Sequence, residues 1–530
     1  MQQLSYDPRD PWFEIDGWRL AVQIISFENV YGLDPDATAV TRDAGRTVID
    51  CGRLVWAGGQ ERCDGSARIE ATPTADGLEV VVSARHAPPL RCVKLLVHGL
   101  PSGDVIGAFW GRSPLRPGGT ILTYPTPLHT PLVFLAPQDG PHLYFQSLDG
   151  RVRAKRFAFY QHDGDLIAEL IFEELATEIS GSITAPPWRI GSTSQPEAVA
   201  EQHLQHIERA YGLQPWESRA DVPAWAQEIA LVVALHGMHW SGRVFNRYDQ
   251  MLAALRWIAD RIEGRCVLAF LPGWEGRYYW QYGDYRPEPR LGGEEGFARL
   301  AAGARELGVK LMPMFGANCV NADLPGFEEW GPPAIMRSAS GLEFQGNRPD
   351  WDTSRAHDPG WQAWLNPGAP SWRERLVAQV SRLVERYELP AVFFDTQHVW
   401  TNDPHYPVYD GLVALRDELK ARFPQLLIAG EGWYDALGAV TPVSQVGGPQ
   451  QWPEIFSNYC RTFLHLSAGD PGRGSTGVHE LGRREFQLAP DAQCWWPTLT
   501  VVDGTIERAP ERAEEVIDQA KRYAAAHLQR

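Results

Sequence analysis

The feature that most limits what this chain can fold into is a regular alternation that begins near residue 226. Short apolar runs recur at IALVVAL (229–235), CVLAFL (266–271), VKLMPMF (309–315), PAVFFD (390–395) and LLIAGE (426–431). Between them lie stretches with helical apolar periodicity: YDQMLAALRWIADRI (248–262), EEGFARLAAGARELG (294–308), SWRERLVAQVSRLVERY (371–387) and YDGLVALRDELKARF (409–423). A strand apolar at every position must be covered on both faces, and helices inserted between such strands make the strands parallel. These five units are followed by weaker strand candidates at PEIFSNYC (453–460) and DAQCWWPTLTVV (491–502), then by a closing helix, APERAEEVIDQAKRYAAAHL. The count approaches that of a (β/α)8 TIM-like barrel. A doubly wound open sheet is the rival, but no Gly-rich phosphate loop follows the first run. The expected fold class is therefore α/β, with a (β/α)8 barrel over 226–530.

Residues 1–185 follow a different rule. WRLAVQII (18–25), GLEVVVSAR (77–85), CVKLLVHGL (92–100), PHLYFQSL (141–148) and DLIAELIF (165–172) alternate in hydropathy. Ala-Asp-Gly (75–77), Gln-Asp-Gly (138–140) and His-Asp-Gly (162–164) punctuate them as turns. That pattern predicts an antiparallel β-sandwich. Residues 186–225 read as a linker: a helix running through Leu204, Ile207 and Tyr211, then a Pro/Trp-rich connector packed on the domain behind it.

Charge and composition narrow the partners. The net charge is −17, from 49 Lys+Arg against 66 Asp+Glu, and such a surface repels nucleic-acid backbones and anionic lipid. The seven Cys are scattered, with no CxxC pair and no zinc spacing, so neither a disulfide framework nor a metal site is expected. The opening MQQLSYDPRDPW has no basic n-region followed by an apolar core, and no apolar run reaches the ~18 residues of a membrane span. The expectation is a cytoplasmic protein, with a secreted protein trimmed of its leader as the alternative, and with a carbohydrate substrate, no nucleic-acid partner, no membrane partner and no cofactor. Homo-oligomerisation is left open. The 21 Trp, about three times the ordinary share, supply the reason for naming carbohydrate: indole faces suit sugar C–H surfaces, and the N–H remains a polar handle.

In a barrel the chemistry sits where strands end in βα loops. The first run ends in His236-Gly-Met-His239-Trp240, and the second leads into GWEGRYYWQYGDYRP, which carries Trp274, Tyr279, Trp280, Asp284 and Arg286. The third ends in Gly316-Ala-Asn318, the fourth in Asp395-Thr-Gln397-His398, and the fifth in Glu431-Gly-Trp433-Tyr434. Asp395 and Glu431 are each the first ionisable residue after an apolar strand, on neighbouring strands about 4.8 Å apart. Carboxyls about 5–5.5 Å apart suit a retaining glycosidase, whereas an inverting one needs roughly 6.5–9.5 Å. A pair that close splits its titration, leaving one group ionised as nucleophile and one protonated as acid. The alternative is two acids that cap loops or bind a cation.

His236, Trp240, Trp274, Tyr279, Asp284, Arg286, Asn318, Gln397, His398 and Trp433 are the candidate substrate contacts, with Asp284 and Arg286 read as an ion pair or hydroxyl clamp. His236, His239 and His398 could instead ligate a metal, but their spacing matches no short metal motif. Asn402 and Asp403 are hydroxyl partners or loop caps, and His465 and Asp470 would supply a further polar wall. Trp240, Trp274, Trp280, Trp400 and Trp433 fall just beyond strand ends. Trp12, Trp188, Trp216 and Trp225 are expected only to pack.

At these residues the chain resembles retaining α-glycoside hydrolases with an α-amylase-like barrel, and most specifically glycoside hydrolase family 101, the endo-α-N-acetylgalactosaminidases. Three stretches carry the resemblance: GWEGRYYWQYGDYRPEPRLGGEEGFARLAAGARELGVKLM, WLNPGAPSWRERLVAQVSRLVERYELPAVFFDTQ and IAGEGW. It implies Asp395 as nucleophile and Glu431 as acid/base, with Trp274, Asp284 and Arg286 on the non-reducing sugar. The expected function is a retaining, exo-acting α-glycosidase of an oligosaccharide or glycoside. The alternatives are a transglycosylase on the same site, a non-catalytic carbohydrate-binding barrel, and a metal-dependent barrel hydrolase.

Overall fold

The computed structural model describes residues 12–43, 45–108, 112–113, 115–116, 118–162, 164–239, 242–277, 280–344, 362–447, 454–464, 488–502 and 504–528. Among them, sixteen strands between Phe13 and Thr193 form one hydrogen-bonded antiparallel network. Its spine is the 24-residue strand Gly77–Leu100, which changes partners midway. The first half pairs with Glu61–Pro73 and Trp188–Thr193, the second with Trp18–Ser26 and Asp165–Glu173. Leu78, Val80, Val82 and Ala84 are buried at even positions, whereas Val93, Leu95 and Val97 are buried at odd ones. A register shift opposite Ile25/Ser26 inserts the extra residue that turns the strand over. GLEVVVSAR and CVKLLVHGL, two expected strands, are therefore one strand shared by both layers. Trp188–Thr193, inside the expected linker, is also a strand of this sheet. The expected linker helix forms at Pro196–Tyr211 (α1).

The barrel follows with eight parallel strands: β1 (Leu231–Leu235), β2 (Val267–Leu271), β3 (Lys310–Gly316), β4 (Ala391–Asp395), β5 (Leu427–Glu431), β6 (Val443–Val446), β7 (Arg461–Leu464) and β8 (Thr498–Val501). The pairing order is β7-β6-β5-β4-β3-β2-β1-β8. The circuit closes where Thr462 exchanges backbone hydrogen bonds with Cys494 and Trp496, just ahead of β8. Almost every barrel-strand residue is buried, as a sheet covered on both faces requires. The cover includes α2 (Tyr248–Ala259), α3 (Gly293–Glu306), α4 (Pro370–Tyr387), α5 (Val408–Arg422) and α6 (Pro510–His527). Helix α4 shows why such segments fold: Pro370 starts it, and Trp372, Leu376, Val380, Leu383 and Tyr387 bury one stripe. Glu388, at φ 52°, ends it.

The described part of PEIFSNYC, residues 454–460, is not a strand. Glu454–Asn458 winds into a 3-10 turn, and β6 comes instead from Val443–Val446, whose Ser444 and Gln445 hid it from an apolar-run reading. The barrel interior is filled by Phe270, Phe393 and Phe463, with ring centroids 4.5–6.2 Å apart. Among the described residues no helix is long and apolar enough to cross a membrane.

Candidate active site

Side chains alternate along a strand, so Asp395 projects to the same side as Phe393, one layer nearer the mouth. Glu431 stands likewise above Ala429. Phe394 is in register with Gly430, which sets the two acids at matching heights on adjacent strands. Asp395 is only 3% exposed, and the Tyr282 hydroxyl donates to its Oδ2 at 2.7 Å. Glu431 has a side chain 20% exposed, and its Oε2 accepts the backbone N–H of Thr396 at 3.0 Å.

Thr396 therefore bridges the pair, and it does so in a costly conformation. Its φ is +63°, a genuine outlier for a β-branched residue, worth roughly 1–3 kcal/mol of strain. The surroundings hold it there: its hydroxyl donates to Asn318 Oδ1 at 2.7 Å, while Asn318 Nδ2 donates to the Val399 carbonyl at 3.1 Å. Gln397 and His398 lie over the glycines flanking Glu431. A Cβ on Gly430 would sit 2.0 Å from Gln397 Cδ, and one on Gly432, whose φ is +70°, 2.3 Å from His398 Cγ. Only glycine allows these loops to close so tightly. Gln397 Nε2 donates to Thr441 Oγ1 at 2.9 Å. His398 Nδ1 lies 3.1 Å from the Glu431 carbonyl and 3.7 Å from its Oε2. Desolvation pushes the His398 pKa down, against the opposing pull of the Glu431 carbonyl and Asp395, which favours a neutral ring.

Asn318, Gln397 and His398 thus gather around the two acids, each spending hydrogen bonds on the loops. His236 is buried at the end of β1, where its carbonyl accepts from Asn246 Nδ2. His239 is buried in the next turn with its ring against Phe245. Trp274 is not on a cleft wall: it is fully buried, its indole donates to the Met314 carbonyl, and Phe297 and Phe315 pack on it. Trp433 is also buried, between His129 and Phe456. Both indoles turn into the walls because the apolar space beside the strand ends lies there.

Asp284 and Arg286 do pair, at 3.4 Å, as an exposed surface contact. Gly283 and Tyr285, on either side of Asp284, are pinned by Arg375, Gln379 and Arg382, along the flank of α4. Asn402 and Asp403 act as loop caps: Asn402 is bonded to Glu173, Glu174 and Ala176, and Asp403 accepts from Arg337 and His405 N–H. Trp240, Tyr279, His465 and Asp470 lie outside the described residues.

Three contributors were not singled out from the sequence. Tyr282 sits in the aromatic-rich loop, where spacing alone does not say which tyrosine reaches the acid. Thr396 acts through its backbone, which no motif marks. Glu275 should have been found, since it is the first ionisable residue after β2. It is 1% exposed, and neither carboxyl oxygen meets a partner in another described residue. Burial, reinforced by the charges of Asp395 and Glu288, pushes its pKa well above the carboxylate range.

No protein-family model matches the sequence. The 1,4-α-glucan branching enzyme of Agrobacterium fabrum is 30% identical over 155 residues, a match covering 27% of this chain and only 20% of that enzyme. Among solved structures, an α-N-acetylgalactosaminidase of Bifidobacterium bifidum, in complex with GalNAc, superposes at TM-score 0.67 with 12% identity, covering 99% of this chain and 93% of that one. A GH36 α-galactosidase of Geobacillus stearothermophilus, in complex with raffinose, superposes at 0.54 with 13% identity, covering 96% and 76%. The architecture of an antiparallel β-domain in front of a (β/α)8 barrel is thus one that known α-glycosidases share, and the resemblance drawn from the sequence stands at the level of the fold.

Proposed function

We propose that the protein is a retaining glycoside hydrolase of α-glycosidic bonds, exo-acting on an oligosaccharide or glycoside, with Asp395 as nucleophile and Glu431 as acid/base. The observation that carries this reading is the pair of carboxyls at equal height on adjacent strands, bridged by the strained Thr396. Side-by-side strands favour the short separation of a retaining pair. The groups that meet these acids include a tyrosine hydroxyl, a backbone N–H and a histidine disposed to be neutral. Such partners orient a carboxyl and leave its charge to the reaction.

Asp395 attacks the anomeric carbon while Glu431 passes its proton to the glycosidic oxygen. The bond to the leaving group breaks, and a glycosyl ester forms on Asp395. The Glu431 carboxylate then takes a proton from water, whose oxygen displaces Asp395. The released sugar keeps its original anomeric configuration. Tyr282 holds one Asp395 oxygen throughout, so the nucleophile does not reorient between the two displacements.

A panel of aryl α- and β-glycosides, with NMR following the first anomer released, tests the reading. Turnover of α-glycosides with the α-anomer appearing first is expected. Asp395→Ala should lower kcat by about 10⁴-fold or more with the fold intact. Glu431→Gln should cost about 10²–10⁴-fold on poor leaving groups, and far less on nitrophenol. Wild-type-like turnover by Asp395→Ala, or release of the β-anomer first, overturns the assignment.

A further inference from the structure

Two residues past Glu431 the barrel loop leaves its own fold and enters the N-terminal domain. One turn of that domain, residues 124–130, meets three consecutive residues of the loop. The His129 ring sits edge-on to Trp433 at 5.6 Å, and the Tyr124 ring edge-on to Tyr434 at 6.3 Å. Asp435 is enclosed by the same turn. Its Oδ1 accepts the Tyr124 hydroxyl at 2.7 Å, its Oδ2 accepts the Thr130 hydroxyl at 2.8 Å, and its backbone N–H donates to the His129 carbonyl at 2.8 Å.

The turn is itself held from behind. Because Thr130 spends its proton on Asp435, His203 on α1 must donate from Nε2 to the Thr130 oxygen, at 2.8 Å. His203 Nδ1 is then left to accept from Gln146 Nε2, at 2.7 Å. A directed chain therefore runs from the sheet (Gln146) through α1 (His203) and the turn (Thr130) to the barrel loop (Asp435). Lys155, fully buried and 2.6 Å from Asp149, lies beneath the Tyr124 ring. The loop of β4 is tied to the same domain, where Asn402 Nδ2 donates to Glu173 and the Glu174 carbonyl, and Arg91 and Arg156 hold Glu173.

We propose that the Tyr124–Thr130 turn is a working part of the active site, fixing the Glu431 loop through Asp435, which acts as a positioning residue for the acid/base. The inference rests on the reading of Glu431 as acid/base. The N-terminal domain is, on this view, neither a detachable binding module nor a spacer. Its edge sets where the proton donor stands relative to Asp395, because Gly432 to Asp435 form a short, tightly bonded segment with no slack to absorb a shift.

The test uses the full chain carrying Tyr124→Phe or Thr130→Val, each of which removes one donor and keeps the side-chain body. Hydrogen exchange of the amides at 432–436 should rise about tenfold, with those of β4 and the barrel helices unchanged. On an aryl α-glycoside, kcat should fall about tenfold or more with KM within about twofold, and the limb of the kcat–pH profile that titrates the proton donor should move. A rise in exchange with kcat and the pH profile unchanged overturns the proposal, since the turn is then only glue between domains. Unchanged exchange in both variants overturns it too. Raised exchange in a protein whose wild type cleaves no glycoside of the panel sinks the functional reading on which the proposal rests, while the grip on the loop stands.

Discussion

The mouth of the barrel and the seam behind it hold the same kind of side chain for opposite ends. Glu431, at the mouth, is partly exposed, and the groups that meet its carboxyl include the Thr396 N–H. Asp435, four residues further on, is enclosed and receives two hydroxyl protons from another domain and the Ala436 N–H at 2.7 Å. A carboxyl enclosed by donors is a fixed point, whereas one that reaches solvent at the barrel mouth is open to a substrate. Glu275 is a third case, enclosed like Asp435 but without its partners. On the proposed reading, one short loop carries both the acid/base and the anchor that places it.

Three measurements would break or sharpen this contrast. The largest expected effect is at the seam. Burial outweighs the Tyr124 and Thr130 hydrogen bonds and raises the Asp435 pKa from 3.8 to about 6. An acid whose folded pKa is raised binds its proton more tightly when folded. Its stabilising contribution is therefore full below pH ~4 and is lost as pH rises through ~6, amounting to roughly 3 kcal/mol. The buried His203, lowered to about 3 by burial, slopes the opposite way, losing stability as pH falls from about 6.5. Denaturant titrations of Asp435→Asn from pH 4 to 7 should show that the wild-type minus variant difference falls with pH. A flat difference would mean that the seam carboxyl is not strained by burial.

At the mouth, Tyr282→Phe should lower kcat about 10–100-fold by releasing one oxygen of Asp395, with little change in KM or stability. Full activity in that variant would show that Tyr282 merely packs. The smallest effect is at Glu275. Its raised pKa makes it a group whose contribution is lost as pH rises, so the stability of Glu275→Gln relative to wild type should increase with pH, by about 1 kcal/mol. A variant less stable at every pH would show that this carboxyl has a partner it needs.

Both regions were legible to different degrees. The rule that located Asp395 and Glu431, the first ionisable residue after an apolar strand, would also have located Glu275. It could not tell an acid pointing into the mouth from one sealed beside it. Trp274 and Trp433 stand where sugar-binding indoles were expected, yet both turn into the walls. Sequence position sets where the backbone emerges, and only packing decides to which side a large ring goes. β6 was missed because Ser444 and Gln445 interrupt its apolar run, although their neighbours bury them as fully as valine. Thr130, His203 and Asp435 lie up to 305 residues apart, and no local pattern connects them.

By itself the sequence determined the repeating strand–helix architecture, the sheet in front of it and the two acids that end β4 and β5, because hydropathy period and strand-end placement are local properties. Only the tertiary structure decided which tyrosine meets Asp395, which indoles are core and which domain holds the Glu431 loop. Those outcomes depend on distances between residues far apart in the chain, and they are set by burial and hydrogen-bond satisfaction once the two domains have met.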